Sequence, residues 1–476
     1  MSTSVQERAA ADPSGIVGTG SLRRRVLGLA WPVIGENLLQ TLLGIVDTLL
    51  VARLGAEAIA GVGSSLQIMF LVIGALAAVS VGGSILVSQA VGARDREHAN
   101  RVAKQALVWA ALIAVPLSLA GWWLAEPISH WLGLPPDVAV ITAAYLQVTL
   151  GGALFLVLMY VSGGLLRGAG DSRTPMLASL VANVINAGLA FLLIFGHLGL
   201  PALGTQGSAW ATLIGRAVAT LLLLAALAWA STRVSIWSAR GWWPSLALAG
   251  RILRLGVPAA MEQALITLGL TAFTALMASQ GTAVLAAQRI AFNALSLSFL
   301  PGIGFGLATT ALVGMSVGAR RVDEGAAAAG VAARWAMAWM STAGLVYLML
   351  AEPVLGLFTD DPTVIAEGVP VLRIVALAQP AWALLFVYSG ALRGLGNTSY
   401  PLRTNTSGIW AIVLLGYLLV RGFDTSAVVA WVGFAVISPL MAALVWYRFR
   451  RAVLDWLTVK PEPVLARARA PELADG

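Results

Sequence analysis

The sequence predicts an all-α integral membrane protein with twelve transmembrane helices in two six-helix lobes. Three observations support this fold class. Hydrophobic residues make up 59% of the 476 residues and charged residues only 11%, whereas about 25% are charged in a typical soluble domain. Apolar stretches long enough to cross the hydrocarbon core recur along the chain. The third observation is an internal repeat.

The repeat keeps one register, with an offset of 226 residues (258 − 32). Pro32 recurs as Pro258. The motif Val91-Gly92-Ala93-Arg94 recurs as Val317-Gly318-Ala319-Arg320, which is again 226 positions later. A register that holds without net insertion over long stretches is not expected by chance. The chain therefore consists of two copies of one unit, and membrane proteins of this kind place their substrate path between the copies.

Twelve apolar stretches predict the individual spans, six in each copy. In the first copy we expect spans near residues 27–51, 59–91, 103–124, 138–166, 176–196 and 208–230. In the second copy we expect them near 252–278, 284–317, 329–350, 364–392, 402–420 and 427–447.

Arginines in alternate connections predict the orientation of these spans in the membrane. Arg23, Arg96, Arg173 and Arg240 mark connections on one side, whereas Glu126 marks a connection on the other. We therefore expect the protein to lie in the inner membrane of the cell, with both termini in the cytoplasm. Because six spans per copy is an even number, the two lobes should be related by a pseudo-twofold axis along the membrane normal.

Composition also predicts the domain limits and excludes several partners. The net charge of +8 is explained by topology, so no nucleic-acid partner is expected. With no cysteine, thiolate chemistry and disulfides are excluded. We expect a monomer in the lipid bilayer, with a flexible tail at 1–22, an N-lobe at 23–230, an interlobe linker at 231–250, a C-lobe at 251–450 and a cytoplasmic tail at 451–476.

The first span carries an unusual stripe of polar residues. Eleven residues separate Glu36 from Asp47, so the two lie about 20° apart around a helix and about 16 Å apart along it. Gln40 lies on the same stripe, and Thr48 belongs to a second polar stripe beside it. A carboxylate deep in a membrane costs several kcal/mol, about 2.5–3.5 on insertion scales, and marks a functional site by default. We therefore expect Asp47 to mark a functional site.

The polar residues of this span also have a purely structural interpretation, in which they join helices by hydrogen bonds. That interpretation suits Thr48 and stays open for Glu36, which lies nearer the cytoplasmic end. Glu262 occupies the repeat position of Glu36 and is open in the same way. The repeat position of Asp47 is Phe273, so an ion site is expected in the N-lobe alone.

Other polar residues within the spans complete the candidate site. Asn183 and Asn186 lie on one face of the fifth span and can reach towards the first helix, which makes them candidates for ion coupling. The candidates for the wall of a substrate cavity are Glu36, Gln40, Thr48 and Glu262, together with Gln288 and Asn293 of the eighth span. Arg289 can either extend to the interface or balance charge in the cleft.

Catalytic, nucleotide-binding and metal-binding motifs do not account for this chain. Neither Lys104 nor Lys460, its only lysines, follows a glycine, so a nucleotide-binding P-loop is excluded. The three histidines lie singly in connections, without the spacing of metal ligands. We expect no enzymatic activity, no bound metal and no cofactor.

Two motifs resemble those of multidrug and toxic compound extrusion (MATE) transporters. The first is Gln40-Thr41-x-x-Gly44-x-Val46-Asp47-Thr48, and the second is Leu166-Arg167-Gly168-x-Gly170-Asp171. The resemblance covers roughly residues 22–450. It implies alternating access between two lobes and efflux of organic cations in exchange for H⁺ or Na⁺. Asp47 matches the first-helix aspartate that family members use for ion coupling.

Two positions depart from the family's patterns. The DinF-like branch often has a second aspartate in the fifth helix, where this chain has Ala190. The branch named for norfloxacin export has a seventh-helix glutamate at the position of Ile266, whereas Glu262 lies one turn earlier. We therefore expect a member of the bacterial DinF-like branch with a reduced N-lobe site.

The function expected from the sequence is antiport of amphipathic, mostly cationic drugs for H⁺, with Na⁺ as the second candidate ion. A single carboxylate among amides suits H⁺ better, because Na⁺ requires several oxygen ligands. The alternative within transport is a flippase for lipids or lipid-linked oligosaccharides, which usually has more spans and a more basic cavity. A membrane enzyme would require clustered polar groups at a membrane face, and a passive channel is usually built from an oligomer.

Overall fold

The computed structural model describes residues 22–229, 233–423 and 425–459. Within these ranges the chain is helical and contains no β-strand. The tail predicted at 1–22, apart from Leu22, and residues 460–476 of the predicted C-terminal tail lie outside the described residues. Both tails therefore stay predictions.

Fourteen α-helices form the described part of the molecule. Those of the N-lobe are α1 (Leu22–Ala52), α2 (Ala56–Gly92), α3 (Arg96–Trp131), α4 (Pro136–Gly151), α5 (Ala153–Gly168), α6 (Arg173–Phe195) and α7 (Thr205–Ala228). Those of the C-lobe are α8 (Leu246–Ala278), α9 (Thr282–Gly318), α10 (Val322–Met349), α11 (Ala351–Gly356), α12 (Pro362–Gly394), α13 (Ser399–Tyr417) and α14 (Val432–Val459). Short 3₁₀ turns lie at His197–Gly199 and Ala427–Trp431, and a π turn at Leu418–Gly422.

These helices confirm the predicted fold class. Nine helices of the described ranges are long and apolar enough to cross a membrane, and a tenth span results if α4 and α5 are one span bent by 51°. The two remaining predicted spans correspond to α10 with the short α11, and to α13. Several helices extend beyond the apolar stretch. For example, α3 begins at Arg96 because the carboxylate of Asp95 accepts a hydrogen bond from the backbone N–H of His98.

The internal repeat reappears in backbone geometry. The α2–α3 turn places Arg94 at φ 60°, and the equivalent α9–α10 turn places Arg320 at φ 56°. Positive φ is uncommon for residues other than glycine. After α5 and α12, Gly170 and Gly396 have φ of 89° and 86°, a conformation open to glycine without steric cost. Two copies of the sequence thus fold into two copies of one structure.

Glycines let the two lobes approach each other backbone to backbone. A Cβ atom on Gly318 would overlap the carbonyl oxygen of Gln89, and one on Gly92 would overlap that of Met315. These two contacts are related by the repeat, since 89 + 226 = 315 and 92 + 226 = 318. Small residues have the same role at other helix interfaces in membranes, where close backbone packing drives association.

Substitution of Gly318 by alanine is therefore expected to destabilise the contact between the lobes. The new methyl group must displace the backbone of α2, and overpacking of this kind costs about 1–3 kcal/mol. The thermal midpoint of the purified protein should fall measurably. Gly330→Ala on α10 is the matched control, because no atom lies within 4 Å of its added Cβ. Equal midpoints for the two variants would contradict the close approach.

The hydrophobic cores show where the lobes are joined. Val26 and Ile34 of α1 pack in a core made largely by the C-lobe. In the same way, Leu248 and Ile252 of α8 pack in a core made largely by the N-lobe. All four lie in the half of the bundle that carries the arginine-rich connections, here named the basic end. Towards the opposite end, each core of the described residues belongs to one lobe alone. The cleft between the lobes therefore opens at the opposite end.

The connection between the lobes is docked on α3 at the basic end. The ammonium group of Lys104, which is 2% exposed, donates to the carbonyl oxygens of Ser238 and Arg240 at 2.7 Å. The side-chain amide of Gln105 donates to the carbonyl oxygens of Gly241 and Trp243. These contacts attach the described part of the linker to the N-lobe.

Candidate functional site

A cavity of about 220 Å³ lies within the N-lobe, among helices α1, α2, α4, α5, α6 and α7. Its wall combines apolar side chains with a small set of polar ones, as in most small-molecule sites. The polar lining residues are Gln40, Asp47, Tyr145, Tyr160, Ser179, Asn183, Asn186, Thr212 and Arg216. Four of these, Gln40, Asp47, Asn183 and Asn186, are candidates that the sequence predicts.

Asp47 is held in the cavity by a hydrogen bond from α7. The hydroxyl group of Ser208 donates to Oδ1 of Asp47 at 2.7 Å, and Ser208 itself is fully buried. A hydrogen bond to a carboxylate is stronger than one between neutral groups. Ser208 therefore orients one carboxylate oxygen and ties α1 to α7 through the residue expected to bind the ion.

The two asparagines of α6 take different roles. The Asn183 amide donates to the carbonyl oxygen of Leu39 at 2.7 Å, which connects α6 to α1 as the sequence predicts. The Asn186 amide donates instead to the hydroxyl of Thr212 at 3.0 Å. The Oδ1 atom of Asn186 is buried and has no hydrogen-bond partner among the described residues. Because buried acceptors are normally satisfied, this oxygen is available to a cation or a protonated group in the cavity.

Thr48 is not brought to this cavity. It follows Asp47 directly and is therefore turned about 100° around the helix. Its side chain is exposed on the outside of α1, and its hydroxyl donates to the carbonyl oxygen of Gly44 at 2.7 Å. The structure thus gives Thr48 a local hydrogen bond and does not make it a ligand beside Asp47.

The candidates of the C-lobe also lie away from the cavity. Gln288 is 1% exposed, and its amide donates to the hydroxyl of Thr274 at 2.9 Å, so it joins α9 to α8. Asn293 lies one and a half turns further along α9 and is exposed. Neither residue contributes to the N-lobe cavity.

Glu36 and Glu262 form equivalent ion pairs, one in each lobe. Arg167 Nη1 lies 2.9 Å from Oε2 of Glu36, and Arg393 Nη2 lies 2.7 Å from Oε1 of Glu262. Asn405 also donates to Oε1 of Glu262, at 2.6 Å. The pairs connect α1 to α5 and α8 to α12 at repeat positions. Both glutamates are therefore committed to charge partners and lie outside the cavity wall.

Sequence reasoning missed six polar residues of the site: Tyr145, Tyr160, Ser179, Ser208, Thr212 and Arg216. Ser208 and Thr212 carry no charge, so nothing in the sequence distinguished them from other hydroxyls in α7. Arg216 did give a signal, because a charged residue inside an apolar span is a functional candidate by default. The predicted intramembrane charges of the site were carboxylates, and Arg216 was not among them.

The equivalent region of the C-lobe is a packed apolar core. At repeat positions, Phe273 replaces Asp47 and Phe434 replaces Ser208. Their rings pack edge to face with centroids 5.3 Å apart, so an aromatic pair stands where the N-lobe has a hydrogen bond. Ile412 and Ala442 replace Asn186 and Arg216, and all these C-lobe residues are buried. The polar cavity is therefore a property of the N-lobe.

A family model identifies the architecture. The model MatE matches residues 32–192 and again residues 258–418. The chain belongs to the MatE family. The two matched segments begin 226 residues apart, which is the offset of the internal repeat. Members of this family are membrane transporters, so the chain is a transporter and not an enzyme.

Curated relatives cover nearly the whole MatE chain. The probable multidrug resistance protein NorM of Thermotoga maritima is 31% identical over 459 residues, which is 95% of this chain and 96% of that protein. The multidrug resistance protein PmpM of Pseudomonas aeruginosa is 31% identical over 411 residues, or 83% of each chain.

Solved structures share the fold. A multidrug resistance MATE family transporter of the MOP superfamily, in an outward-facing conformation, aligns with a TM-score of 0.84 and 24% identity. The alignment covers 92% of this chain and 97% of that one. A MOP superfamily transporter from Pyrococcus furiosus aligns with a TM-score of 0.85 and 23% identity, over 94% and 98% of the two chains. At these identities the likeness concerns the fold.

Proposed function

We propose that this MatE protein is a secondary active multidrug efflux transporter of the inner membrane. It exports amphipathic and cationic organic compounds in exchange for H⁺, with Na⁺ as the second candidate. The names of its relatives, NorM and PmpM, describe multidrug resistance proteins. The single observation that carries the proposal is Asp47, a carboxylate of the first helix that lines a cavity inside one lobe.

The position of the cleft supports alternating access. If the arginine-rich connections are cytoplasmic, both termini lie inside, and the cleft between the lobes opens to the exterior. Asp47 is then reached from outside, where it binds the coupling ion. A membrane potential that is negative inside favours entry of the cation by about 2.3 kcal/mol per charge per 100 mV. Neutralising Asp47 weakens its hydrogen bond from Ser208, which releases α1 from α7 and favours rearrangement of the lobe.

The donor set of the cavity favours H⁺ over Na⁺. The cavity offers an ion the carboxylate of Asp47, the buried Oδ1 of Asn186, which has no hydrogen-bond partner among the described residues, and the neutral hydroxyl and amide oxygens of other lining residues. Only one of these groups carries a charge. The second aspartate expected in many DinF-like proteins is Ala190, which is fully buried among apolar side chains. Assignment to the DinF-like branch, with a reduced N-lobe site, is part of the proposal.

Efflux of ethidium from vesicles tests the proposed function. Purified protein is reconstituted into vesicles that are loaded with the dye. Either a pH gradient or a Na⁺ gradient is then imposed across the vesicle membrane. We expect the pH gradient to drive efflux at a rate at least tenfold above that of protein-free vesicles, and the Na⁺ gradient to have little effect. Efflux driven by the Na⁺ gradient alone would show that Na⁺, and not H⁺, is the coupling ion. Efflux that ignores both gradients would contradict antiport.

A further inference from the structure

Arg216 is a cationic side chain of the N-lobe cavity. The charge of Asp47 acts on it at longer range, but no carboxylate of the described residues lies within ion-pair distance of it. It lines the same cavity as Asp47. Among the described residues, neither an ion pair nor a side-chain hydrogen bond involves its guanidinium group, although other arginines of this chain, such as Arg167 and Arg393, are paired with carboxylates. A guanidinium group stays protonated in proteins. Arg216 therefore holds a permanent positive charge at the wall of the cavity.

The two charges of the cavity arise from different depths. Ser208, which contacts Asp47, precedes Arg216 by eight residues on α7, so the backbone of Arg216 lies about 12 Å nearer the basic end. That depth corresponds to Gln40 on α1, which is seven residues before Asp47. The aromatic side chains of Tyr145 and Tyr160 also line the wall. The cavity thus holds one anionic and one cationic side chain, whose backbone positions lie at different depths.

Comparison of the two repeats distinguishes Arg216 from the arginines that form structural ion pairs. Arg167 and Arg393 recur at equivalent positions, and each is neutralised by a glutamate of its own lobe. The equivalent of Arg216 is Ala442, which is buried in an apolar core. Folding of a lobe therefore does not require an arginine here. A charge inside the membrane that the scaffold does not need, and that forms no close ion pair among the described residues, indicates a role in binding.

We propose that Arg216 binds a carboxylate of the transported compound, so that the cavity prefers zwitterions over compounds that carry only positive charge. The planar guanidinium group can donate two parallel hydrogen bonds to a carboxylate. The cationic part of the same molecule then faces Asp47 and the tyrosine rings. A purely cationic compound can still bind at Asp47, but it gains no contact with Arg216 and therefore binds more weakly than a zwitterion. This inference rests on the proposed efflux function and narrows its substrates.

Two dyes that differ by one methyl ester test the preference. Rhodamine 110 carries a free carboxylate and is zwitterionic, whereas rhodamine 123 is its cationic methyl ester. Binding of each dye to the purified native protein is measured by fluorescence anisotropy, and efflux of each dye is measured from reconstituted vesicles. We expect the native protein to bind rhodamine 110 at least tenfold more tightly. Equal affinity, or preference for the ester, would overturn the proposal.

Variants assign the preference to the arginine. Arg216→Gln should reduce affinity for rhodamine 110 at least tenfold and leave that for rhodamine 123 unchanged or increased, and Arg216→Lys should retain part of the preference. Arg173→Gln, an exposed arginine at the start of α6, is the matched control. Equal losses for both dyes in Arg216→Gln would indicate a structural role and contradict the inference. If Arg216→Gln does not fold, Arg216→Lys and the native affinities decide. Selective binding of rhodamine 110 without gradient-driven efflux would contradict the proposed function and leave this inference standing.

Discussion

Asp47→Asn is expected to abolish gradient-coupled efflux and to leave the protein folded in the membrane. Asparagine has the same shape, and its Oδ1 atom can still accept the hydrogen bond that Ser208 donates to Asp47. The side-chain amide neither takes up nor releases a proton near neutral pH, and it carries no charge to hold Na⁺. Because the equivalent residue of the C-lobe is Phe273, the second lobe offers no carboxylate at that depth as a substitute.

The measurement is ethidium efflux under an imposed pH gradient, with native and variant protein reconstituted at equal density. The coupled rate of Asp47→Asn should fall at least tenfold, towards the rate of protein-free vesicles. Asp137→Asn is the matched control, because Asp137 is exposed in the first turn of α4 and outside the cavity. Coupled efflux at the native rate in Asp47→Asn would disprove the assignment of Asp47 as the ion-binding residue.

Glu262→Leu is expected to destabilise the C-lobe strongly. Its side chain is 4% exposed and accepts hydrogen bonds from Arg393 and Asn405. Without the carboxylate, the guanidinium group of Arg393 is left partly buried and uncompensated. Removal of one member of a buried ion pair costs about 3–5 kcal/mol, whereas replacement of both members by apolar residues is often neutral. We therefore expect the double variant Glu262→Leu with Arg393→Leu to recover most of the loss.

Thermal midpoints of the purified native protein, both single variants and the double variant test this coupling. The equivalent pair, Glu36 with Arg167, supplies an internal comparison in the N-lobe, where the side chains are 12% and 18% exposed. Independent, additive effects of the two substitutions would show that the charges do not interact. A stable Glu262→Leu single variant with reduced efflux would instead assign Glu262 to transport, which the sequence left open.

The sequence predicted a large part of the fold and a smaller part of the candidate site. The length of the apolar stretches predicted the helical membrane fold, and motifs that recur at a constant offset predicted its repeat, since both can be read directly along the chain. The expectation that Asn183 reaches the first helix agrees with its hydrogen bond to Leu39. Thr48 was misplaced because one step along a helix turns a side chain by about 100°. Arg216 was not among the predicted site residues, which were chosen among intramembrane carboxylates and amides, although its position inside an apolar span was visible in the sequence.

The sequence by itself determined the number and apolar character of the spans, the twofold repeat, and the presence of a single first-helix aspartate without a counterpart. These are properties of residues and of their spacing along one helix. Only the tertiary structure decided that Ser208 contacts Asp47 across 161 positions and that Arg167 neutralises Glu36 across 131. It also decided that no carboxylate of the described residues lies within ion-pair distance of Arg216. Contacts of this range depend on the rotation and crossing of each helix, which are determined by side-chain packing against its neighbours.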